Sequence, residues 1–249
     1  MERKIIVVTA AYGHEYIAAM GGQQAVLPTI AAGGADGVEI RRELFTGDEL
    51  QRLPALGDAI AAHGLMACYS APETLFDDIG ALNNRIPALL QEARQLKAHW
   101  LKLSLGHFHS DLSFSRLTDW LDSAGVALVV ENDQTSGGRQ APMQRFQAAC
   151  QVQKLPVSLT FDMANWLWLG ESPEDAARYL APAVSYIHVK AAVPHQDSWR
   201  AVPPDSDDPR WLALLQQLPD DVPRGIEFPL QGDDLVAVTR RYVQLLRET

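Results

Sequence analysis

Eight short apolar runs, each bounded by turn residues, recur along the chain and most constrain its fold. They are KIIVVTAA (4–11), DGVEIRR (36–42), GLMACYSA (64–71), HWLKLSLG (99–106), VALVVEND (126–133), VSLTFDMA (157–164), VSYIHVKAA (184–192) and RGIEFPL (224–230). Near-continuous apolar runs of this length suit parallel strands buried on both faces. The segments between them read as helices. GDELQRLPALGDAIAAHG and NNRIPALLQEARQLKAHW space apolar residues by three and four, and SPEDAARYLAP opens with Ser172 at an N-cap and Pro173 at the first helical position. The glycines of AHG and SAG stand where a helix gives way to a strand. Strand and helix thus alternate eight times at roughly 30-residue spacing, as in βα units. Within 249 residues this predicts an α/β fold, a single (β/α)8 TIM barrel forming one domain over 1–249, with its active site at the C-terminal strand ends. A doubly wound open sheet fits less well, because TAAYGHEY follows the first strand in place of a glycine-rich phosphate loop. SGGR (136–139) reads as a flexible loop, and AVPPDSDDPR (201–210) as part of a long loop after strand seven.

Composition removes several function classes. A formal charge of −10 disfavours phosphate-backbone binding, so no nucleic-acid partner is expected. No apolar stretch is long enough to span a bilayer, and no membrane partner is expected. Cys68 and Cys150 lie far apart without a CxxC or CxxH partner, which argues against a disulfide framework and a thiolate zinc site. The first fifteen residues contain only a five-residue apolar run, so no signal segment is expected and the cytoplasm is the expected compartment. A small polar molecule remains as the partner, with a homo-oligomer compatible.

The last four strands each carry a polar residue where they run out: Glu131 in VVEND, Asp162 in TFDMAN, His188 in YIHVKA and Glu227 in GIEFPL. Singly, such an acid is usually a salt-bridge or loop anchor, and a lone histidine a satisfied core residue. Together, in a closed barrel, they converge on one mouth. Three close carboxylates repel at neutral pH unless a cation or protons neutralise them. One divalent metal ion is the simplest neutraliser. Oxygen-rich ligation with one imidazole suits Mn²⁺ or Mg²⁺, with Co²⁺ or Zn²⁺ as alternatives. On this reading, truncating Asp162 relieves repulsion and raises the stability of the metal-free protein.

With those residues identified, the chain resembles the xylose-isomerase-like TIM-barrel superfamily of sugar phosphate isomerases and epimerases. In that family a Glu, an Asp, a His and a Glu on strands five to eight bind one catalytic metal, which here implies Glu131, Asp162, His188 and Glu227. GVEIRRELF, LKLSLG, VVENDQTSGGR, TFDMANW, YIHVKA, AVPP and IEFPLQGDDL further resemble a subfamily of barrels from bacterial 2-ketogluconate utilisation, described as epimerases, over almost the whole chain. The resemblance implies a sugar epimerase or isomerase acting on a small keto-sugar or sugar acid, with Glu131 and Glu227 as catalytic acid–base groups in proton transfer through an enediolate. Related epimerases often carry a His three residues after the strand-six Asp, where this chain has Asn165. Asn165 can orient substrate but cannot shuttle protons. A metal-dependent keto-polyol dehydratase could use the same metal and base, and a non-catalytic sugar-binding barrel is the reading outside enzymology. Apurinic endonucleases share the barrel, but they need further His ligands, and Tyr69 and Ser70 stand at the expected end of strand three.

Four residues are candidates for substrate binding: His107 just past strand four, Asn165, Lys190 on the same strand face as His188, and Arg200 on the long loop as a clamp for an acidic substrate. Lys190 could equally bridge to Glu39. Glu39 and Arg41 share a strand face and are expected to pair beneath the site. Trp166 and Trp168 are expected to wall the mouth or pack the rim, and WLALLQQL (211–218) to pack against the barrel.

Overall fold

The computed structural model describes residues 3–109, 112–206 and 208–249. Its eight parallel strands close on themselves in the order β1-β10-β7-β6-β5-β4-β3-β2. The barrel strands are β1 (Ile5–Val8), β2 (Gly37–Arg41), β3 (Met66–Phe76), β4 (Trp100–Gly106), β5 (Ala127–Glu131), β6 (Val157–Asp162), β7 (Val184–Val189) and β10 (Arg224–Ile226). Between β7 and β10, β8 (Ala191–His195) and β9 (Ser198–Val202) form an antiparallel hairpin outside the barrel. The helices are α1 (His14–Ala19), α2 (Leu27–Ala32), α3 (Leu53–Ala62), α4 (Ile86–Gln95), α5 (Ser115–Ala124), α6 (Gln140–Gln153), α7 (Asn165–Trp168), α8 (Pro173–Leu180), α9 (Arg210–Leu215) and α10 (Leu235–Glu248). All eight expected strands are present in their expected order, as the alternation requires.

Local chemistry explains the boundaries. Ser172 accepts a hydrogen bond from the Asp175 amide at 3.2 Å, which starts α8 on a satisfied donor. Gly125, at φ 63°, ends α5 in the left-handed conformation. Four strand ends differ from the sequence reading by three residues or more, and one of them is β10, which stops at Ile226, four residues before its expected end. β1 stops at Val8 because Thr9–Tyr12 turn into a 3-10 segment in which the Thr9 hydroxyl donates to Gln23 Oε1 at 2.7 Å. β3 continues to Phe76 through a register shift between Ser70 and Thr74, so Tyr69 and Ser70 lie within the strand, not at its end. β7 ends before Lys190, and the next residues leave the barrel as β8; Ala201 and Val202 therefore close a hairpin, while Asp207 lies outside the described residues.

The core runs between the barrel and its helices. Trp211, Leu214 and Leu215 on α9 are buried, as expected for packing, and Cys68 and Cys150 are buried free thiols. Ile6, Cys68 and Tyr186 form a small apolar floor inside the barrel, with Met66 and Trp100 against it. Above that floor the interior is polar. Glu39, Lys102, Asp162 and His188 are all buried, an arrangement that demands partners for each. No described helix is long and apolar enough to cross a membrane.

Candidate metal and catalytic site

The four strand-end residues meet. Glu131 and Asp162 are the last residues of β5 and β6, His188 is next to last in β7, and Glu227 directly follows β10, its amide still bonded to Val189 O at 3.2 Å. One potential ligand atom from each of the four lies within 4.8 Å of the others. Glu131 and Glu227 come from strands with β6 and β7 between them.

Asp162, an acid at the end of an apolar strand, has a local partner for each of its oxygens. Its Oδ1 accepts from the amides of Ala164 and Asn165 at 3.0 and 2.9 Å, capping the turn that leaves β6. Its Oδ2 lies 2.8 Å from Lys190 Nζ. Asn132 fixes the backbone here, accepting from the Asp162 amide at 2.8 Å and donating to its carbonyl at 3.0 Å. Burial pushes the Asp162 carboxyl up to about 7; Lys190 opposes the shift, and the charges of Glu227 and Glu131 add to it.

Three basic side chains enter the same cluster, two of which the sequence reading had set elsewhere or passed over. Lys102, buried inside β4, bonds Glu131 Oε2 and stands 3.7 Å from Glu39 Oε1. Arg41 Nη1 donates to Glu227 Oε1 at 2.8 Å and lies 3.9 Å from Glu39 Oε1, so Arg41 serves Glu227 more than the expected Glu39 pairing. Lys190 reaches Glu227 Oε2 at 3.0 Å and Asn165 Oδ1 at 3.1 Å; it meets Asp162 and Glu227, not Glu39. The repulsion argument is therefore met in part by the protein's own cations. Lys102 was visible in HWLKLSLG by the same signal as Asp162, a lone charge in an apolar strand.

The electrostatics follow from these contacts. Burial raises the Glu131 carboxyl, but Lys102 and His188 outweigh it and hold it at about 2. Burial likewise opposes ionisation of Glu227, and His188 and Lys190 overcome it, keeping Glu227 well below the usual carboxylate range. Both glutamates are thus ionised at neutral pH, whereas Asp162 is the acid that holds a proton most readily.

His188 is fixed from both sides. Its Nε2 lies 2.8 Å from Glu39 Oε2, and the edge of its ring packs against Tyr186 at a centroid distance of 4.9 Å. Its Nδ1 is 2.7 Å from Glu131 Oε1 and 3.2 Å from Glu227 Oε2. Yet Nδ1, Glu131 Oε1 and Asp162 Oδ2 are buried without any well-aligned hydrogen bond. Each of these atoms has a charged neighbour, Glu131 Oε1 against Nδ1 and Lys190 Nζ against Asp162 Oδ2, but no aligned hydrogen bond, and hard oxygens with one imidazole form a donor set for a divalent cation. These residues fit such an ion.

The remaining candidates are placed as follows. Asn165 is buried in the cluster, and its amide already bonds Lys190, Gln134 and the Asn132 carbonyl. His107 is exposed beside a cavity of about 200 Å³ that Phe108, Ser136 and Gly137 also line. Arg200 is exposed on β9, at a groove shared with Pro229, Gln231 and Tyr242. Neither cavity includes the clustered acids. Trp166 is fully buried against Phe161, while Trp168 is half-buried with Lys190 Nζ 5.9 Å from its ring centre. A larger surface cavity of about 520 Å³, lined by Gln24, Asp48, Arg52 and His63 among others, is also remote from this chemistry.

No family model matches the chain. No curated protein matches it either. Solved structures do. A xylose isomerase domain containing protein from Salmonella typhimurium LT2 superposes with a TM-score of 0.71 at 13% identity, covering 99% of this chain and 98% of the other. The IolI protein with a bound zinc atom gives 0.69 at 13% identity, with 98% of each chain covered. D-allulose 3-epimerase from Methylomonas sp., in complex with D-allulose, gives 0.64 at 13% identity over 99% and 97% of the two chains. At such identities the likeness is one of fold: this chain is a (β/α)8 TIM barrel, similar in fold to xylose-isomerase-like barrels.

Proposed function

We propose that the protein is a divalent-metal-dependent epimerase or isomerase of a small keto-sugar or sugar acid. The observation that carries the reading is the convergence of Glu131, Asp162, His188 and Glu227, with ligand atoms within 4.8 Å of one another. These four would hold the ion. Bound there, a divalent cation supplies Lewis-acid polarisation of a substrate carbonyl and its neighbouring hydroxyl, which acidifies the adjoining C–H bond. Glu131 and Glu227 are the groups that move the proton. Both are ionised, and they reach the mouth from strands separated by β6 and β7. If one glutamate removes the proton from one face and the other returns it to the opposite face, the stereocentre inverts. Lys102 restrains Oε2 of Glu131 and Arg41 restrains Oε1 of Glu227, while the other oxygen of each carboxylate faces the cluster, Glu131 Oε1 toward His188 Nδ1 and Glu227 Oε2 toward Lys190 and His188. Asn165 and Lys190 border the same space and are proposed to orient substrate hydroxyl or carboxylate groups, with His107 and Arg200 as outer contacts. Fold neighbours that include an epimerase crystallised with a keto-sugar and a zinc-bound protein support the class. The motif resemblance to KguE-type barrels selects the substrates to try first.

The test is a screen of Mn²⁺-, Mg²⁺-, Co²⁺- and Zn²⁺-loaded protein against 2-ketogluconate, its 6-phosphate and neutral ketoses in deuterated water, followed by NMR. Deuterium appearing at an inverted stereocentre is the expected result. Loss of water would assign a dehydratase instead. Binding without exchange or turnover across the panel would reduce the protein to a sugar-binding barrel.

A further inference from the structure

Glu39 belongs to none of the four ligand positions, yet like Asp162 it has no exposed surface. One of its oxygens, Oε2, meets His188 Nε2 at 2.8 Å; the other, Oε1, lies between Lys102 Nζ at 3.7 Å and Arg41 Nη1 at 3.9 Å. Lys102 also holds Glu131, and Glu131 faces His188 Nδ1. These contacts close a ring through β2, β4, β5 and β7. Between β2 and β7 stand β1 and β10, and β10 opens the lane: a Cβ at Gly225 would come within 2.3 Å of Tyr186 Oη and 3.1 Å of His188 Cδ2. The fold has spent a glycine, a buried lysine and a buried glutamate on one imidazole.

We infer that Glu39 is a positioning residue: by accepting the Nε2 proton of His188 it fixes the ring so that Nδ1 is the nitrogen presented to the metal. This rests on the site reading given above. A carboxylate behind a ligating histidine fixes tautomer and orientation and raises ligand basicity, and losing such a partner typically costs about 10–100-fold in metal affinity. Lys102 then has a defined task. Bonded to Glu131 and 3.7 Å from Glu39 Oε1, it links the two carboxylates that flank the His188 ring.

Two conservative substitutions separate position from charge. Glu39→Gln loses the charge but retains the reach and an acceptor oxygen; Glu39→Asp retains the charge but withdraws the acceptor by one methylene. Mn²⁺ binding is measured by calorimetry, and the His188 imidazole N–H by ¹⁵N-resolved NMR of the metal-free proteins. Expected are an affinity within a few-fold of wild type for Glu39→Gln and a loss of about 10–100-fold for Glu39→Asp. A slowly exchanging proton coupled to Nε2 is expected in wild type and Glu39→Gln, and fast exchange in Glu39→Asp. The reverse order of affinities would show that charge alone matters and overturn the inference, as would a protected proton on Nδ1 in place of Nε2. Should wild-type protein take up no Mn²⁺, the site reading fails and the NMR arm still decides: protection at Nε2 that survives in Glu39→Asp refutes a positioning role.

Discussion

Asp162 and Glu131 differ in the proton they keep, although both are buried carboxylates at adjacent strand ends. Folded Asp162 retains its proton up to about 7, whereas an unfolded aspartate releases it near pH ~4. Between those values the folded state binds more protons, so lowering the pH through this window favours folding. Glu131 has the opposite sign. Its folded value of about 2 lies below the unfolded one, so its contribution is present at neutral pH and is lost as the pH falls from about 4 to about 2. Urea unfolding of metal-free protein should therefore show wild type gaining stability relative to Asp162→Asn from pH ~7 to pH ~4. Parallel curves for the two proteins would refute the assignment. Asp162→Ala is a separate case. Sequence reasoning expects it to stabilise the metal-free protein by relieving repulsion, but the carboxylate caps two amides and pairs with Lys190. Removing it leaves buried donors unpaired, at about 1–3 kcal/mol for such a group, and the metal-free variant should unfold at lower urea than wild type.

The strands decide which of these residues can meet, and β10 shows how little sequence that takes. It has only three residues, Arg224–Ile226, and its central glycine admits the Tyr186 and His188 rings. Gly225→Ala must displace one of them, and overpacking of this kind costs about 1–3 kcal/mol. We expect a lower thermal midpoint together with weakened metal binding; a variant with wild-type values of both would mean that the rings move aside freely. This position also marks what was legible. The eight strands and the four residues at the last four strand ends follow from alternation, since strand order along the chain maps onto neighbours in a closed barrel. The Glu39–His188 contact joins residues 149 apart in sequence across two intervening strands, and nothing in local periodicity encodes that. The sequence reading extends strand seven over Ala191 and Ala192, because these residues are as apolar as the strand before them, whereas they open the hairpin of β8 and β9. β7 ends at Val189, and Lys190, the next residue, pairs with Asp162 and Glu227.

At the scale of the whole molecule the charge is −10, yet the barrel mouth is nearly balanced. Glu39, Glu131, Asp162 and Glu227 face Arg41, Lys102 and Lys190, so the seven groups sum to −1 when all are ionised. In the metal-free mouth burial opposes a charge on His188, but Glu227 and Glu39 hold its imidazole well above the usual range, and on ligation that proton leaves, so −1 is the sum a metal meets. A divalent cation changes that sum to +1. On the proposed function, that positive sum would offset the negative charge that develops as a substrate C–H is deprotonated. It also means that the metal-free site is held together by its own ion pairs, so removing metal should leave a folded protein. Folding and loading are then separable measurements. Ligand bound only to the native state stabilises it by about 2.7 kcal/mol at a hundredfold excess over Kd. Mn²⁺ at that excess should raise the melting temperature of EDTA-treated wild type by several degrees, and the increment should vanish in His188→Ala. In Glu131→Gln and Glu227→Gln, which each keep one ligand oxygen, it should shrink but persist while epimerisation is lost and each variant exchanges hydrogen with solvent from one epimer alone. A full increment in His188→Ala would place the metal elsewhere. Loss of turnover in the two glutamine variants with the increment preserved would divide the glutamates' ligand role from their role as bases.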